Sequence, residues 1–299
     1  MFPIAYHSCY KYPVHKQHRF PMDKYELLPQ QLLREGIAEP ANFFSSDPLD
    51  MQSVYAVHER EYADRVVQGR LTGKEMRRIG FEQTPMLAER ELRIANGTVR
   101  GALMAFETGI AFNIAGGTHH AGPAQGEGFC MLNDQAIAAQ YLLDHGKASK
   151  VLIVDLDVHQ GNGTAAIFAH EPRVFTFSMH GTNNYPFRKE ISDLDIGLED
   201  KTGDSTYLRI LSETLPALVA NVKPDFIFYQ AGVDILYTDK IGRMSCTLEG
   251  CRRRDEIVLQ LAHNHNIPVQ CSMGGGYSEQ LRLIIEAHAN TYRVAARIF

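Results

Sequence analysis

From about residue 98 onward, short apolar segments alternate with longer segments in which an apolar residue recurs every three or four positions. The short segments are typical of buried strands and the longer ones of amphipathic helices. Strands that alternate with helices usually pair in parallel, because each helix crosses the sheet to reach the next strand. The pattern therefore predicts an α/β fold in which helices cover both faces of a mostly parallel sheet, with ligands bound outside the carboxyl ends of its strands.

The predicted elements follow from this periodicity and from the residues that bound each segment. Strands are predicted at 110–117, 150–157, 173–180, 225–234 and 267–276. Helices are predicted at 131–146, 204–222, 247–265 and 278–297, with Asp204, Thr247 and Ser278 as the N-caps of the last three. The first 95 residues are less regular, and we expect one helix to begin near Met22 and another to lie within 53–69.

Length and composition limit what the chain can be. With 299 residues, 44% of them hydrophobic, it can bury a large core, and we expect residues 1–299 to form a single domain. A net charge of −5 does not predict direct nucleic-acid binding. We expect no membrane span, since no segment has the ~18 consecutive apolar residues required, and no secretory signal. Five cysteines without C-x-x-C spacing predict a reducing, cytoplasmic compartment. The oligomeric state stays open.

The most informative segment is an apolar strand that ends in polar residues, KVLIVDLDVHQGNG at 150–163. Alternate residues of a strand share one face, so Asp155, Asp157 and His159 are expected to line one side of the chain as it leaves the sheet. Asp234, at the end of another strand, can join them. One imidazole and two carboxylates suit a catalytic Zn²⁺ site, with Fe²⁺ as the alternative. Asp155 is predicted to orient a neighbour. The competing interpretation is a strand cap whose aspartates accept loop N–H groups.

Two further strand ends carry groups that suit hydrolysis. His119 and His120 follow the glycines of AGGT, and a histidine near a metal can take a proton from water and return it to a leaving amine. Tyr277 follows three glycines, and its hydroxyl is expected to donate to a developing oxyanion beside the predicted helix start. Each feature alone also fits a structural role, as loop histidines or as a packed tyrosine. Together, at successive strand ends, they predict one shared site.

These motifs resemble those of the zinc-dependent histone deacetylases of the arginase-deacetylase superfamily. The resemblance extends over nearly the whole chain and includes YHSCY, HRFPMDKY, GGTHHA, GEGFCMLND, DLDVHQGNGT, QAGVD and MGGGY. HRFPMDKY and the pair Gln160 and Asn162 are most similar to the class IV branch and its bacterial relatives. The resemblance implies a three-layer arginase-deacetylase fold with about eight strands, and hydrolysis of N-ε-acyl-lysine in proteins or peptides.

The resemblance also implies a role for individual residues. It implies zinc ligands at Asp157, His159 and Asp234, a catalytic dyad at His119 and His120, and a carbonyl-polarising hydroxyl at Tyr277. It implies that Asp155 and Asn162 pair with the first and the second histidine, and that Gly128 and Phe129 line the acyl-lysine tunnel. Finally, it implies a structural potassium site formed by Asp155, Asp157, His159, Ser178 and Met179.

One departure and three alternatives qualify this prediction. Asn162 stands where many class I members have an aspartate, and a neutral amide is expected to leave His120 with a lower pKa than a carboxylate would. The same centre could instead deacetylate small amines such as acetylpolyamines. An arginase-type ureohydrolase needs a second metal, but Ile235 and Leu236 stand where its extra carboxylate is expected. A non-catalytic acyl-lysine binder would not require the intact set of catalytic residues.

Overall fold

One parallel sheet organises the protein. The computed structural model describes residues 2–15 and 17–299. The strands in this part of the chain are β1 (Ile4–Ala5), β2 (Phe43–Phe44), β3 (Ile110–Asn113), β4 (Val151–Asp155), β5 (Val174–Gly181), β6 (Leu194–Leu198), β7 (Phe226–Gln230) and β8 (Val269–Ser272). Their order is β2-β1-β3-β8-β7-β4-β5-β6, and every neighbouring pair is parallel. The predicted α/β sheet is confirmed.

Helices cover both faces of the sheet, as expected. They are α1 (Lys24–Arg34), α2 (Met51–Tyr55), α3 (Arg60–Val67), α4 (Gly73–Ile79), α5 (Pro85–Thr108), α6 (Asp134–Asp144), α7 (Asn162–Phe168), α8 (Asp204–Val222), α9 (Leu248–Asn264) and α10 (Leu281–Ile298). Because parallel connections are right-handed, helices leading toward β6 and helices leading back lie on opposite faces. Accordingly, α6 packs against α5 and α7, whereas α1, α10, α9 and α8 pack in succession. None of the described helices is both long and apolar enough to cross a membrane.

The central strands are continuously apolar because both of their faces are covered. Every residue of β3, β4, β7 and β8 is buried. The edge strand β6 alternates instead, with Asp195 and Gly197 exposed, and the sequence analysis did not predict it. The strands β1 and β2 were not predicted either, because a strand of two residues is too short to show periodicity. The missed strands all lie at or near the edges of the sheet, away from its central strands.

The longest helix, α5, was also missed, because Gly97 and Gly101 weaken its predicted helical character. Gly97 has a packing role. A Cβ atom at this position would lie 2.7 Å from the Tyr10 hydroxyl and 3.0 Å from Cβ of Ala5. Glycine therefore lets α5 approach the N-terminal segment closely. The helix expected within 53–69 is confirmed by α3, and the start of this segment also contains the end of the separate helix α2.

Four of the five predicted strands extend too far at their carboxyl ends, whereas β5 continues one residue beyond its predicted end. β4 ends at Asp155, β7 at Gln230 and β8 at Ser272, each before the polar or glycine-rich residues assigned to the strand. After β4, the chain turns because Oδ1 of Asp155 accepts the N–H of Asp157 at 3.1 Å. The functional motifs therefore lie in loops just beyond the strands.

Of the three predicted N-caps, only Thr247 is confirmed, since its hydroxyl accepts the N–H of Gly250 at 3.0 Å. Asp204 is the first residue of α8, and its carboxylate accepts hydrogen bonds from the N–H and hydroxyl of Thr247. Ser278 lies before the start of α10, and its hydroxyl contacts that of Thr238 at 2.7 Å. Tyr277 therefore does not lie beside a helix N-terminus.

Candidate active site

The four predicted functional motifs follow four adjacent strands. β3, β8, β7 and β4 are neighbours in the sheet. They are followed by GGTHH, GGGY, AGVD and LDVH, respectively. The carboxyl ends of parallel strands lie at one edge of a sheet, and residues from three of these motifs line a single cavity there. Asp234, from the motif after β7, lies against His159 beside this cavity. The predicted convergence of the four strand ends is thus observed.

After β4, the chain turns around its own aspartates. The N–H of Asp157 donates to Oδ1 of Asp155, and the N–H of His159 donates to Oδ1 of Asp157 at 3.0 Å. The strand-cap interpretation thus describes part of what both aspartates do. Because β4 ends at Asp155, this hydrogen-bonded turn, and not the alternation of a strand, positions Asp157 and His159.

Three buried side chains form a candidate metal centre. Asp157, His159 and Asp234 each offer one ligand atom, and these atoms lie within 4.8 Å of one another. Nδ1 of His159 lies 3.0 Å from Oδ1 of Asp157 and 3.2 Å from Oδ2 of Asp234. Among the described residues, Oδ2 of Asp234 has no hydrogen-bond partner. A buried carboxylate oxygen is unfavourable unless it is paired or bound to a cation, so these residues fit a divalent metal ion.

The electrostatics of these three residues also favour a cation. Burial and the nearby Asp157 carboxylate raise the pKa of Asp234 to about 7. Burial lowers the pKa of His159, but the carboxylates of Asp157 and Asp234 outweigh burial and raise that pKa to about 10. The imidazole thus holds a proton among two carboxylates in the absence of a metal. A divalent ion compensates the same negative charge more fully.

The two predicted histidine pairs are present. Nδ1 of His119 lies 2.6 Å from Oδ2 of Asp155, and Nδ1 of His120 lies 2.6 Å from Oδ1 of Asn162. The centroids of the two imidazole rings are 4.1 Å apart, and all four side chains are buried. In each pair an oxygen that accepts hydrogen bonds faces Nδ1, so Nδ1 carries the hydrogen.

The environment separates the protonation states of these two histidines. Burial lowers the pKa of His119, but the Asp155 and Asp157 carboxylates outweigh it and raise that pKa to about 9. Burial, together with the neighbouring imidazoles of His119 and His159, holds the pKa of His120 well below its ordinary value. His119 is therefore cationic and His120 neutral at neutral pH. This arrangement suits one electrostatic group beside one proton acceptor.

Tyr277 borders the site after β8. Its ring centroid lies 6.5 Å from that of His159 and 5.9 Å from that of Phe129. Burial, and then the carboxylates of Asp157 and Asp234, raise the pKa of the Tyr277 hydroxyl well above its ordinary value. The hydroxyl therefore stays protonated and can donate a hydrogen bond.

Asp239 holds the backbone of Tyr277 in place. Its Oδ2 accepts the N–H of Tyr277 at 2.6 Å, and its Oδ1 accepts the N–H groups of Ile241 and Gly242. Asp239 was not predicted as a site residue. Its carboxylate is engaged by three backbone donors and does not belong to the metal-ligand set.

Gly128 and Phe129, the predicted tunnel residues, line the same cavity. Gly128 has a φ of +56°, and a Cβ atom there would lie 2.7 Å from Cδ2 of His120. Only glycine leaves room for the imidazole at this point. The Phe129 ring packs against Phe20 and Phe81, with centroids 5.2 Å and 5.5 Å apart. An aromatic wall therefore adjoins the candidate metal centre.

Comparison with known proteins identifies the family. The histone deacetylase domain model matches residues 18–292. The chain belongs to the histone deacetylase family. It is 43% identical to an uncharacterized protein of Picosynechococcus sp., over 100% of this chain and 99% of that protein. It is 29% identical to histone deacetylase 2 of Arabidopsis thaliana, over 97% of this chain and 78% of that protein.

A third relative and a solved structure agree with this assignment. The acetoin utilization protein AcuC of Staphylococcus aureus is 28% identical, over 90% of this chain and 75% of that protein. The crystal structure of the HDA15 HD domain shares the fold, with a TM-score of 0.82 at 22% identity, over 98% of this chain and 90% of that one. The predicted arginase-deacetylase fold is therefore confirmed. As a histone deacetylase family member, the protein is a deacetylase-type hydrolase.

Several residues of this deacetylase site were not predicted, because they come from the irregular first third of the chain. Phe20 and Phe81 line the cavity with Phe129. Lys24 is fully buried, and its Nζ donates to the carbonyl of Gly274 at 2.9 Å. Burial lowers the pKa of Lys24 to about 8 against the opposing effect of nearby carboxylates. The motif HRFPMDKY contains Phe20 and Lys24, but it served only to identify the family.

A buried arginine supports the loops that hold the candidate ligands. Arg254 of α9 pairs with Asp255 at 2.7 Å, and both residues are fully buried. Its guanidinium donates to the carbonyls of Leu156, Ala231 and Gly232, which lie in the loops carrying Asp157 and Asp234. Nothing in the local sequence distinguished this arginine from a surface residue of an amphipathic helix.

Two further residues adjoin the pair formed by His120 and Asn162. Oε1 of Glu127 accepts a hydrogen bond from Nδ2 of Asn162 at 2.6 Å. The Tyr185 ring lies edge-on to His120, with centroids 5.1 Å apart. Glu127 immediately precedes the tunnel residues in GEGFC, and a charged residue at that position was the available signal.

Proposed function

We propose that this deacetylase hydrolyses the amide bond of N-ε-acyl-lysine in proteins or peptides, in a zinc-dependent reaction. The observation that carries this proposal is the position of the buried Asp157, His159 and Asp234 set beside a cavity with an aromatic wall. An acyl-lysine side chain is long, narrow and largely apolar, with one polar amide near its end. Such a substrate suits a cavity that is apolar at its wall and polar at the metal centre.

The metal would be held by Asp157, His159 and Asp234. Zn²⁺ suits a set of one imidazole and two carboxylates, and Fe²⁺ is accepted by the same ligand types. When bound, such an ion supplies Lewis acidity toward a carbonyl oxygen and toward water. The unsatisfied Oδ2 of Asp234 supports this assignment.

His120 is proposed to move the proton. With Nδ1 hydrogen-bonded to Asn162, the lone pair of its Nε2 is available to take a proton from the attacking water. The same nitrogen can then protonate the departing lysine amine. The lowered pKa of His120 keeps the imidazole neutral before the reaction starts.

His119 and Tyr277 are proposed to stabilise the negative charge that develops on the substrate carbonyl oxygen. His119, paired with Asp155, carries a positive charge next to His120 without being consumed in the proton transfer. The Tyr277 hydroxyl stays protonated and can donate to the oxygen. Preorganised donors of this kind usually contribute strongly to acyl-transfer catalysis.

Further predictions extend this proposal. We infer that residues 1–299 form one domain in the cytoplasm, and that a structural K⁺ is held by Asp155, Asp157, His159, Ser178 and Met179. The pairing of Asp155 with Ser178 across β4 and β5 supports the potassium site. The ureohydrolase alternative is less well supported, because the only described set of metal-ligating side chains has three members.

Amine release from lysine peptides tests the proposal. The zinc-loaded protein is incubated with one peptide carrying acetyl and with the same peptide carrying myristoyl, each with and without chelator. We expect chelator-sensitive release from at least one peptide, and the ratio of kcat/KM values reports the preferred chain length. N-acetylspermidine serves as the third substrate. Release from that amine alone would replace the proposal with small-amine deacetylation, and no release from any substrate would favour a non-catalytic binder.

A further inference from the structure

The second histidine is connected to a carboxylate through an amide. Nδ1 of His120 lies 2.6 Å from Oδ1 of Asn162, and Nδ2 of Asn162 donates to Oε1 of Glu127 at 2.6 Å. Asn162 is 8% exposed, whereas Glu127 is partly exposed. The three side chains form one hydrogen-bonded row.

An asparagine cannot set the protonation of a histidine by itself. An ionised aspartate only accepts hydrogen bonds, so it obliges the facing nitrogen to carry a hydrogen. An asparagine has an accepting oxygen and a donating NH₂ of nearly equal size, and either can face the imidazole. A third group must therefore decide which way the Asn162 amide points.

Glu127 is such a group. A carboxylate only accepts, so it selects the orientation in which the Asn162 NH₂ faces Glu127 and the Asn162 oxygen faces His120. In that orientation Nδ1 of His120 carries the hydrogen and Nε2 has a free lone pair. In the flipped orientation the NH₂ would face Nδ1, and the hydrogen would move to Nε2, where the imidazole could no longer accept a proton.

The backbone holds Glu127 in a fixed position. The next two residues, Gly128 and Phe129, donate their N–H groups to the carbonyls of Arg78 and Ile79 at 3.1 Å and 2.7 Å. The carbonyl of Glu127 accepts the N–H of Cys130 at 2.9 Å. The turn is thus attached to the end of α4, and the Glu127 side chain extends toward Asn162 from a backbone that is held in place.

We propose that Glu127 is a positioning residue that orients the Asn162 amide and thereby keeps the proton of His120 on Nδ1. Its consequence for catalysis rests on the proposed function, in which His120 accepts the proton. The tautomer itself does not depend on that function. An aspartate in place of Asn162 would itself be a fixed acceptor for Nδ1 of His120. Glu127 has the same effect indirectly, through the Asn162 amide that it orients.

A double-mutant cycle tests the inference through activity. Glu127→Ala should lower kcat by about tenfold to a hundredfold with little change in KM, which is part of the 10²–10⁴ that a positioned base contributes. Asn162→Asp alone should also lower kcat, because two carboxylates then face each other. The double variant should be more active than either single variant, since the aspartate needs no orienting group. Losses that add in the double variant would indicate a merely structural role and overturn the inference.

Nitrogen chemical shifts of ¹⁵N-histidine test it without turnover. The His120 signals, assigned by comparison with His120→Gln, should show hydrogen on Nδ1 in the wild type and a mixture of tautomers in Glu127→Ala. Glu127→Gln, which keeps the side-chain shape, should lie between them and covers the case in which the alanine variant does not fold. The exposed Glu213→Ala serves as the matched control.

An unchanged tautomer in both Glu127 variants would refute the inference, even if the wild type hydrolyses acyl-lysine. If the wild type hydrolyses nothing, the proposed function fails, but the tautomer measurement still tests whether Glu127 orients Asn162.

Discussion

Nδ1 of His159 lies 3.2 Å from Oδ2 of Asp234, a buried oxygen that receives no hydrogen bond from any residue the structure describes. The other oxygen of Asp234 accepts the N–H of Val158 at 2.9 Å. The backbone therefore holds one oxygen of the carboxylate, and the other oxygen, on the side of the other two candidate ligands, remains able to bind a cation. A metal ion would bind to that oxygen.

Asp234→Asn should stabilise the metal-free protein but reduce the stability that the protein gains from metal. Burial and the Asp157 carboxylate raise the pKa of Asp234 to about 7, so its ionisation near pH 8 destabilises the metal-free folded protein. The variant should therefore be more stable than the wild type near pH 8 without metal, because asparagine is uncharged and keeps the acceptor for the N–H of Val158. With Zn²⁺ at 100 times its Kd, the wild type should gain about 2.7 kcal/mol and the variant far less. Thermal unfolding with zinc and with chelator measures both effects.

Asp200→Asn is the control for this experiment, because Asp200 forms an exposed ion pair with Arg243. The control should keep the full zinc-dependent shift in melting temperature. An equal zinc-dependent shift in Asp234→Asn would contradict the assignment of Asp234 as a ligand.

Tyr277→Phe should lower kcat by roughly 10²–10³, the effect of removing one oxyanion donor. The melting temperature and zinc affinity should change little, because the ring remains and the N–H of Tyr277 still donates to Asp239. Steady-state kinetics on the preferred acyl-lysine peptide provide the measurement. Tyr237→Phe, at a side chain 66% exposed, should retain wild-type activity. Full activity of Tyr277→Phe would exclude the proposed role of its hydroxyl.

His58 should make the fold sensitive to acid. Its Nδ1 bonds to the carbonyl of Gly122, and its Nε2 accepts the N–H of Asn133, both at 2.9 Å, so only the neutral ring satisfies both partners. Burial lowers its pKa from 6.5 to about 4. His58 therefore takes up a proton at a higher pH in the unfolded chain than in the folded chain. The stability that the neutral His58 ring contributes is fully present above pH 6.5 and is lost as the pH falls toward 4.

From this shift, the His58 contribution to the free energy of unfolding should fall by about 2 kcal/mol between pH 7.5 and pH 5. Chemical denaturation at the two pH values measures the loss. His58→Gln should be less stable at pH 7.5 but should lose about 2 kcal/mol less than the wild type on acidification. His170→Gln, at an exposed histidine, should lose as much as the wild type. Equal losses in wild type and His58→Gln would refute the assignment.

Arg254→Met should destabilise the protein by about 3–5 kcal/mol, because it leaves the charge of Asp255 buried without its partner. It also removes donors to the carbonyls of Leu156, Ala231 and Gly232, so zinc affinity should weaken together with stability. Urea unfolding and zinc titration measure the two effects. Arg209→Met breaks an exposed ion pair with Glu213 and should cost less than about 1 kcal/mol. An unchanged unfolding midpoint in Arg254→Met would disprove the supporting role.

Much of the candidate site was predictable from sequence because the fold class restricts where polar residues can go. An apolar strand buried on both faces can change to Asp, His or Gly only where it leaves the sheet. In a parallel sheet, all such ends lie at one edge. His119, Asp157, Asp234 and Tyr277 could therefore be predicted to meet before any coordinates were known.

The details beyond those strand ends were not predictable. The prediction that β4 continues to Asp157 was wrong, because a hydrogen bond to Asp155 turns the chain earlier. Ser278 looked like an N-cap, but α10 begins only at Leu281. Such local outcomes depend on which partner a side chain finds, and several competing partners look alike in the sequence.

The sequence by itself determined the fold class, the family and the identity of the residues at the four strand ends, because periodicity and motif spacing are local properties. Only the tertiary structure decided the order β3-β8-β7-β4, the contribution of Phe20 and Lys24 to the site, and the contact between Glu127 and Asn162. Each of these depends on segments far apart in the chain. Their meeting is set by how the whole core packs, and the order of residues along the chain does not record it.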